Sequence, residues 1–334
     1  MFVFTKSGRE RNGQMSNGLA AAQLPRKQKT FFQKIKSQPI LQLMVLPGII
    51  WFLVFSYVPM FGLVIVLQRF DPFKGYLNSP FIGLENFKTL FADESFWSSL
   101  RNSIGLSSYK LVLSFFLPIV FALLMNEVRI SWFKKGVQTL SYLPHFISYV
   151  VIAGIFTYVF DRRGIFTDLT MFFGAKEPNV GVLMDPGKFW FTMAWVDIWK
   201  SLGWWSTIYL AAITGISPEL YEAAIVDGAG RFRRIWYITL PSIKSTVAII
   251  TIMNISAMLS GGIMGSNFNQ SLLFGNALNR GTSEVLDAYT LRMGLGLGRF
   301  SFAAASGLLQ SIVALLLFGT ANFLSGKLTD SKLI

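Results

Sequence analysis

The sequence predicts an all-α, polytopic membrane protein with six transmembrane helices. Hydrophobic residues make up 52% of its 334 residues, the mean hydropathy is +0.49, and charged residues make up 14%, against about 25% in soluble domains. Six apolar segments are each long enough to cross the hydrocarbon core of a bilayer. The chain has no cysteine and one histidine, His145, which excludes disulfides, thiolate metal sites and a histidine metal cluster.

Residues 1–40 form a basic tail that we predict to be cytoplasmic. The tail contains eight lysine and arginine residues against one acid, Glu10, as the positive-inside rule requires of a cytoplasmic segment. No nucleic-acid recognition motif accompanies this charge. The first apolar run starts near Leu41 and is too long for a cleaved signal peptide.

The six predicted spans lie between this tail and a short cytoplasmic tail at residues 327–334. The connection from Glu127 to Lys135 has an excess of basic residues, whereas the connections at 69–94 and 161–188 do not. This pattern places both termini in the cytoplasm, and we expect residues 41–326 to form one six-helix domain. The predicted spans are Leu41–Gln68, Leu100–Leu124, Thr139–Phe160, Phe189–Thr214, Ser242–Met264 and Phe302–Leu324.

A polar, basic island at residues 217–241 separates the fourth span from the fifth. Ser217 suits the N-cap of a helix, and Gly228 offers a stop. These signals predict a short helix between two long apolar segments. Ala223 and Ala224 give this helix a surface of small side chains, which suits docking into another protein.

The spacing of residues in this island resembles the EAA loop of ABC importer permeases. Three residues separate the Glu-Ala-Ala triplet from a glycine, and nine more separate the glycine from the sequence Ile-Thr-Leu-Pro. The resemblance implies a type I ABC importer transmembrane domain with a cytoplasmic coupling helix in a groove of the ATPase subunit. The implied coupling residues are Glu222, Ala223, Ala224, Asp227 and Gly228, followed by Ile238–Pro241.

The same resemblance implies the partners of the chain. They are a second, homologous permease subunit, two ATPase subunits that bind ATP and Mg²⁺, and an extracellular or periplasmic solute-binding protein that delivers an oligosaccharide. The sequence contains no GxxxxGK[ST] motif, so the chain itself does not hydrolyse ATP. We expect a non-catalytic subunit that binds no cofactor and no metal.

Asp197 and Lys200 are ionisable residues inside the fourth predicted span. They lie three residues apart on one helical face, where they can pair, and ionisable groups inside a membrane often mark function. Four tryptophans surround them, at positions 195, 199, 204 and 205. Aromatic rings beside hydrogen-bonding groups suit a sugar site, but an ion pair that stabilises the bundle, with an interfacial aromatic belt, is an equal alternative.

In maltose-type importers, the helices before and after the EAA loop line a substrate cavity near the middle of the membrane. By distance from the loop, this resemblance implies a substrate path in the fourth and fifth spans, with a further candidate in the third. Residues 141–148 also resemble the equivalent helix of permeases for complex plant oligosaccharides, which predicts a plant- or algal-derived oligosaccharide that Lys200 could attract if acidic. The implied path residues are Asp197, Lys200, Trp204, Asn254, Met258 and Tyr149.

The segment from Gly265 to Arg299 is rich in glycine, asparagine and serine, and we expect it to be an external loop. It resembles the loop of this family that contacts the sugar-binding protein.

Other classes of membrane protein make different predictions. An ion-coupled secondary transporter could use Asp197 and Lys200 as a charge relay, but it would have inverted repeats, and none is evident in the sequence. A scaffold protein would not need polar residues near the middle of the membrane. A two-carboxylate glycosidase would need paired acids in a pocket, which the sequence does not indicate.

Overall fold

The computed structural model describes residues 38–161, 163–174, 182–259 and 266–329. The predicted all-α class is confirmed, since the described residues form helices and turns with one isolated bridge between Gln68 and Phe81. The chain divides into two compact units, one ending at Phe61 and one beginning at Gly62. Most of the predicted basic tail and of the predicted C-terminal tail lies outside the described residues.

Sixteen α-helices are present in the described residues, joined by short 3₁₀ and π segments. The α-helices are α1 (Pro39–Phe52), α2 (Gly75–Asn78), α3 (Glu85–Ala92), α4 (Glu94–Glu127), α5 (Ser131–Tyr142), α6 (Tyr149–Val159), α7 (Ile165–Phe172), α8 (Phe189–Thr214), α9 (Pro218–Val226), α10 (Arg231–Arg234), α11 (Leu240–Ser242), α12 (Lys244–Ser256), α13 (Ser266–Phe274), α14 (Arg280–Ser283), α15 (Leu286–Leu291) and α16 (Phe300–Thr329). The 3₁₀ segments are Val58–Leu67, Leu143–Phe146, Val182–Met184 and Pro186–Lys188, and the π segments are Leu53–Tyr57, Ile235–Thr239 and Arg292–Gly296.

Three continuous helical segments of the described chain are long and apolar enough to cross a membrane: Pro39–Leu67, Glu94–Glu127 and Phe300–Lys327. They correspond to the first, second and sixth predicted spans. The second has 34 residues and is therefore about 51 Å long, whereas the hydrocarbon core is about 30 Å thick. This helix must extend into the polar layer of the membrane or beyond it.

The third and fifth predicted spans are bent pairs of helices. Ser131–Phe146 and Tyr149–Val159 meet at 101°, so the span predicted over Thr139–Phe160 is broken into two helices. Pro144 lies at the start of the 3₁₀ segment before the break, where its ring and missing N–H oppose regular α-helical bonding. The second bent pair, Arg231–Ser242 and Lys244–Ser256, bends by 60° at the first residues of the fifth predicted span.

Helix α8 begins and ends at the residues predicted for the fourth span, Phe189 and Thr214. Its 26 residues extend over about 39 Å. Counting each bent pair as one span gives five apolar spans among the described residues, and α8 is not one of them.

Helix α8 packs closely against α4 and against the bent third span. Gly105 of α4 lies against the Trp190 ring, and Gly203 of α8 lies against the backbone of Ser141, so that a Cβ at either glycine would overlap its neighbour. Apolar clusters fill the two ends of this contact. One contains Leu106, Ile152, Phe189, Met193, Val196 and Phe274, and the other contains Ile119, Ala122, Trp205, Tyr209, Ile213, Ile243 and Ile250.

The segment predicted as an external loop contains three helices, α13, α14 and α15. Five residues of α13 are buried, four of them polar: Ser266, Asn267, Gln270, Ser271 and Phe274. The segment is therefore largely helical, and its external position stays a prediction. Its polar composition is typical of loops, but these side chains form hydrogen bonds inside the protein.

Candidate coupling helix and substrate path

Helix α9 occupies the predicted position of the coupling helix. It begins after Ser217, whose side chain makes no capping hydrogen bond, and the chain turns at Gly228 with a φ of +74°. This left-handed conformation is one that a side chain disfavours. Among the predicted coupling residues, Ala224 is half-buried and the other four are exposed.

The surface of α9 is apolar and exposed. Leu220, Ile225 and Val226 are 52%, 56% and 87% exposed, and no residue of α9 is buried. A hydrogen bond holds α9 to the π segment that follows it: the Tyr221 hydroxyl of α9 lies 3.0 Å from Thr239 Oγ1. An exposed apolar helix held in a fixed position is suited to binding another protein.

Near the other end of this segment, Arg231 Nε lies 3.8 Å from Glu127 Oε2 at the end of α4. Both side chains are substantially exposed, so this ion pair contributes little to stability. It does place the start of α10 next to the end of the long helix α4. If α9 and α10 move, α10 therefore moves against the end of α4.

Asp197 lies in a buried polar network that the sequence did not predict. Its Oδ1 accepts a hydrogen bond of 2.6 Å from the Tyr149 hydroxyl and lies 3.9 Å from Lys110 Nζ. Lys110 Nζ also donates to Ser266 Oγ at 2.9 Å and to Asn267 Oδ1 at 2.7 Å. The network thus joins helices α4, α6, α8 and α13.

Asp197 and Lys200, which the sequence places on one helical face where they could pair, form no salt bridge in the described structure. Among the described residues, Lys110 is the cation within ion-pair distance of Asp197. Lys110 was not among the predicted site residues, although its position within the second predicted span would have identified it by the rule applied to Asp197 and Lys200.

Lys200 contacts the backbone of the bent third span. Its Nζ donates to the carbonyl oxygens of Pro144, His145 and Ile147, at 3.2, 2.5 and 2.7 Å. It also lies 5.2 Å from the centre of the Tyr149 ring. Lys200 is therefore held at the break between α5 and α6.

The four tryptophans of α8 have different environments. Trp204 stacks on His145 with ring centres 4.5 Å apart and planes 6° apart, and it is 38% exposed. Trp205 is buried in the core. Trp195 and Trp199 line an apolar groove of about 520 Å³ together with Phe156, Phe160, Phe166 and Phe191. Trp204 is thus the one that combines a stacked geometry with the predicted path position.

Asn254 and Met258 lie at the end of the fifth span. Asn254 is buried, and its Oδ1 has no hydrogen-bond partner among the described residues. The Met258 carbonyl accepts a 2.6 Å hydrogen bond from Ser107 Oγ, which in turn accepts one of 2.7 Å from Asn267 Nδ2. Because Asn267 also binds Lys110, one polar chain connects Met258 with Asp197 and Tyr149.

The segment between α13 and the π segment after α15 encloses a crevice of about 540 Å³. Glu284 and Arg292 line it and form a bidentate ion pair at 2.6 and 2.9 Å. Hydrogen bonding to Glu284 raises the pKa of Arg292 above its usual value. Arg280, which is exposed, also lines the crevice.

The helical membrane fold and the exposed helix between α8 and α10 define a transport permease. Residues 115–332 match the family described as "Binding-protein-dependent transport system inner membrane component". The chain belongs to this family, and it is a non-catalytic, multi-pass permease subunit of an ABC importer in the cytoplasmic membrane.

Named relatives are similar over most of the chain. It is 42% identical to the polygalacturonan/rhamnogalacturonan transport system permease protein YteP of Bacillus subtilis (strain 168), over 90% of this chain and 92% of the relative. It is 37% identical to protein LplB of the same strain, with the same coverage. These relatives give the ion-coupled alternative no support.

A solved structure has the same fold. The crystal structure of a bacterial ABC transporter involved in the import of the acidic polysaccharide alginate contains a chain 36% identical to this one, with a TM-score of 0.81 over 89% of this chain and 99% of that chain. A second structure of such a transporter, in complex with an alginate pentasaccharide-bound periplasmic protein, has the same identity and TM-score.

Proposed function

We propose that this chain imports oligosaccharides derived from plant or algal polysaccharides, and that these oligosaccharides are acidic. The observation that carries the proposal is the similarity, over about nine-tenths of the chain, to permeases whose names specify polygalacturonan, rhamnogalacturonan or alginate. Uronic acid units, each with a carboxylate, are common to these polysaccharides.

The proposed partners are a second, homologous permease subunit, two ATPase subunits that bind ATP and Mg²⁺, and an external solute-binding protein. Helix α9 is the proposed coupling helix, with Glu222, Ala223, Ala224, Asp227 and Gly228 against the ATPase. Its exposed apolar side chains support this assignment. The crevice beside Glu284 and Arg292 is proposed to face the binding protein. Both termini are proposed to be cytoplasmic.

Transport requires two states whose relative free energies the partners change. ATP binding stabilises one arrangement of the ATPase pair, and the loaded binding protein stabilises one arrangement of the outer surface. The ion pair between Arg231 and Glu127 joins the segment after α9 to α4. A displacement of α9 would therefore act on α4 and, through it, on the polar network around Asp197.

The proposed substrate path lies between α6, α8 and α12. Trp204 offers a ring for stacking, and Asn254 offers a buried acceptor with no partner among the described residues. Met258 lies one turn beyond Asn254. Asp197, Lys200 and Tyr149 lie in the same region, with the contacts described above.

The coupling proposal is tested by co-purification of the full complex from the native host in mild detergent, with subunits identified by mass spectrometry. We expect the wild-type chain to bring down an ATPase and a second permease, and Glu222→Lys to lose the ATPase. Glu219→Lys, which reverses an exposed charge three residues earlier on the same helix, is the matched control and should retain it. Retention of the ATPase by Glu222→Lys would refute the coupling role.

The substrate proposal is tested with the complex and its binding protein in proteoliposomes. We expect ATP-dependent uptake of trigalacturonate and much weaker uptake of the neutral trisaccharide galactotriose. Uptake driven by an ion gradient without ATP would instead support the secondary transporter. Equal uptake of both sugars would overturn the acidic specificity and leave the coupling result unaffected.

A further inference from the structure

The break in the third span has backbone carbonyl oxygens outside regular α-helical bonding on one side and the start of a new helix on the other. The 3₁₀ segment Leu143–Phe146 ends before Ile147 and Ser148, which are extended, and α6 begins at Tyr149. A bend of 101° leaves carbonyl oxygens without helical partners, and in a membrane such groups need other donors. The stability of the bend therefore depends on which groups supply those donors.

Helix α8 contacts both sides of this break through residues one turn apart. Lys200 binds carbonyl oxygens of the segment before the break, at Pro144, His145 and Ile147. Asp197 binds the hydroxyl of Tyr149, the first residue after it. Since residues three apart share one helical face, a single face of α8 holds the two arms of the third span.

The hydrogen bonds of Lys200 leave it no donor for a sugar. A lysine ammonium has three N–H donors and no acceptor, and three carbonyl oxygens lie within 3.2 Å of Nζ. The residue is 8% exposed. A carboxylate of the substrate could reach this ammonium only by displacing the carbonyl oxygens that hold it, the closest being those of His145 and Ile147.

We propose that Lys200 is a positioning residue that sets the break of the third span, and that it does not bind the substrate. The uptake measurement that tests this proposal rests on the transport function proposed above. Through the His145 carbonyl, Lys200 holds the residue whose ring stacks on Trp204. Through the opposite arm, the same face of α8 holds Tyr149. Lys200 thereby places aromatic groups of the path without touching what passes through it.

The first arm of the test measures the bend itself. Because the chain has no cysteine, cysteines introduced at Leu140 and Tyr158, which are 69% and 68% exposed, can carry two spin labels across the break. The labelled chain is assembled with cysteine-free partner subunits, and the distance distribution is measured by pulsed EPR. Lys200→Met should shift and broaden the distribution, and Lys200→Arg should restore the narrow wild-type distribution.

The matched control for this arm is Lys188→Met. Lys188 precedes α8, is exposed, and pairs with Asp185 at 3.1 Å. This substitution removes the same charge without touching the break, so the distance distribution should stay as in the wild type. If Lys200→Met also leaves the distribution unchanged, the proposal is overturned.

The second arm compares uptake of trigalacturonate and galactotriose. A positioning role predicts that Lys200→Met lowers the uptake of both sugars by the same factor, of about tenfold, with the change in kcat rather than KM. Lys200→Gln, a milder variant that retains two donors, should keep part of the activity at the wild-type ratio. A selective rise in KM for trigalacturonate in either variant would make Lys200 a substrate ligand.

The two arms fail separately. If the wild-type complex transports neither sugar, the proposed function fails, but the distance measurement needs no substrate and still decides whether Lys200 sets the bend. If transport is normal and the distances do not respond, only the positioning role is lost.

Discussion

Lys110 Nζ on α4 lies 3.9 Å from Asp197 Oδ1 on α8, and both residues are buried. The pair joins the two helices that form the centre of the fold. Lys110 also hydrogen-bonds Ser266 and Asn267 on α13, so a third helix depends on the same cation. A buried pair of this kind is costly to break, because the remaining partner stays charged in an apolar environment.

We expect Lys110→Met to destabilise the complex by about 3–5 kcal/mol, since it leaves Asp197 without its cation. Lys110→Met with Asp197→Asn should recover part of this loss, because no buried charge is left unpaired. The measurement is a double-mutant cycle on thermal inactivation in detergent. Additive effects of the two substitutions would show that the pair has no coupling energy.

Gly203→Ala should prevent the close approach of α8 to the third span. A Cβ at this position would overlap the backbone of Ser141, and backbone does not move as easily as a side chain end. We expect loss of folded protein, measured as monodisperse material in size-exclusion chromatography. Gly307→Ala in α16 is the control: its Cβ would meet nothing within 4 Å, and alanine in a helix is favoured by about 1 kcal/mol.

Gly228→Ala should weaken coupling by straining the turn after α9. The φ of +74° at Gly228 costs a residue with a side chain about 1–2 kcal/mol. We expect lower ATPase association on co-purification, together with lower ATPase activity stimulated by the binding protein. Gly230→Ala, two residues later at a φ of −67°, should behave as the wild type. Equal loss in both variants would contradict this explanation.

Asn254→Leu should separate transport from stability. The Asn254 Oδ1 is buried without a partner among the described residues, and an unsatisfied buried group costs about 1–3 kcal/mol. Leucine should therefore leave the thermal stability unchanged or higher, while uptake of trigalacturonate falls. Asn267→Leu is the contrasting variant, because it removes the hydrogen bonds to Lys110 and Ser107 and should destabilise the protein. A stable, fully active Asn254→Leu protein would exclude the residue from the path.

The elements that depend on local sequence were predictable. Helix α8 has the predicted bounds, and α9 is followed by the predicted turn at Gly228. Apolar segment length and a glycine at a left-handed turn act within a few residues of chain. The EAA pattern, which identified the family, also lies within one short stretch of the chain.

The sequence by itself therefore determined a helical membrane permease, its apolar segments and the short helix α9 between the fourth and fifth spans. Only the tertiary structure decided that Asp197 is close to Lys110 and that Lys200 binds the carbonyls of a broken helix. It also decided that α13 is buried rather than part of a loop. These contacts join residues far apart in the chain. Which donor reaches which acceptor depends on the packing of whole helices, because a buried polar side chain can pair only with groups on the helices that lie beside it.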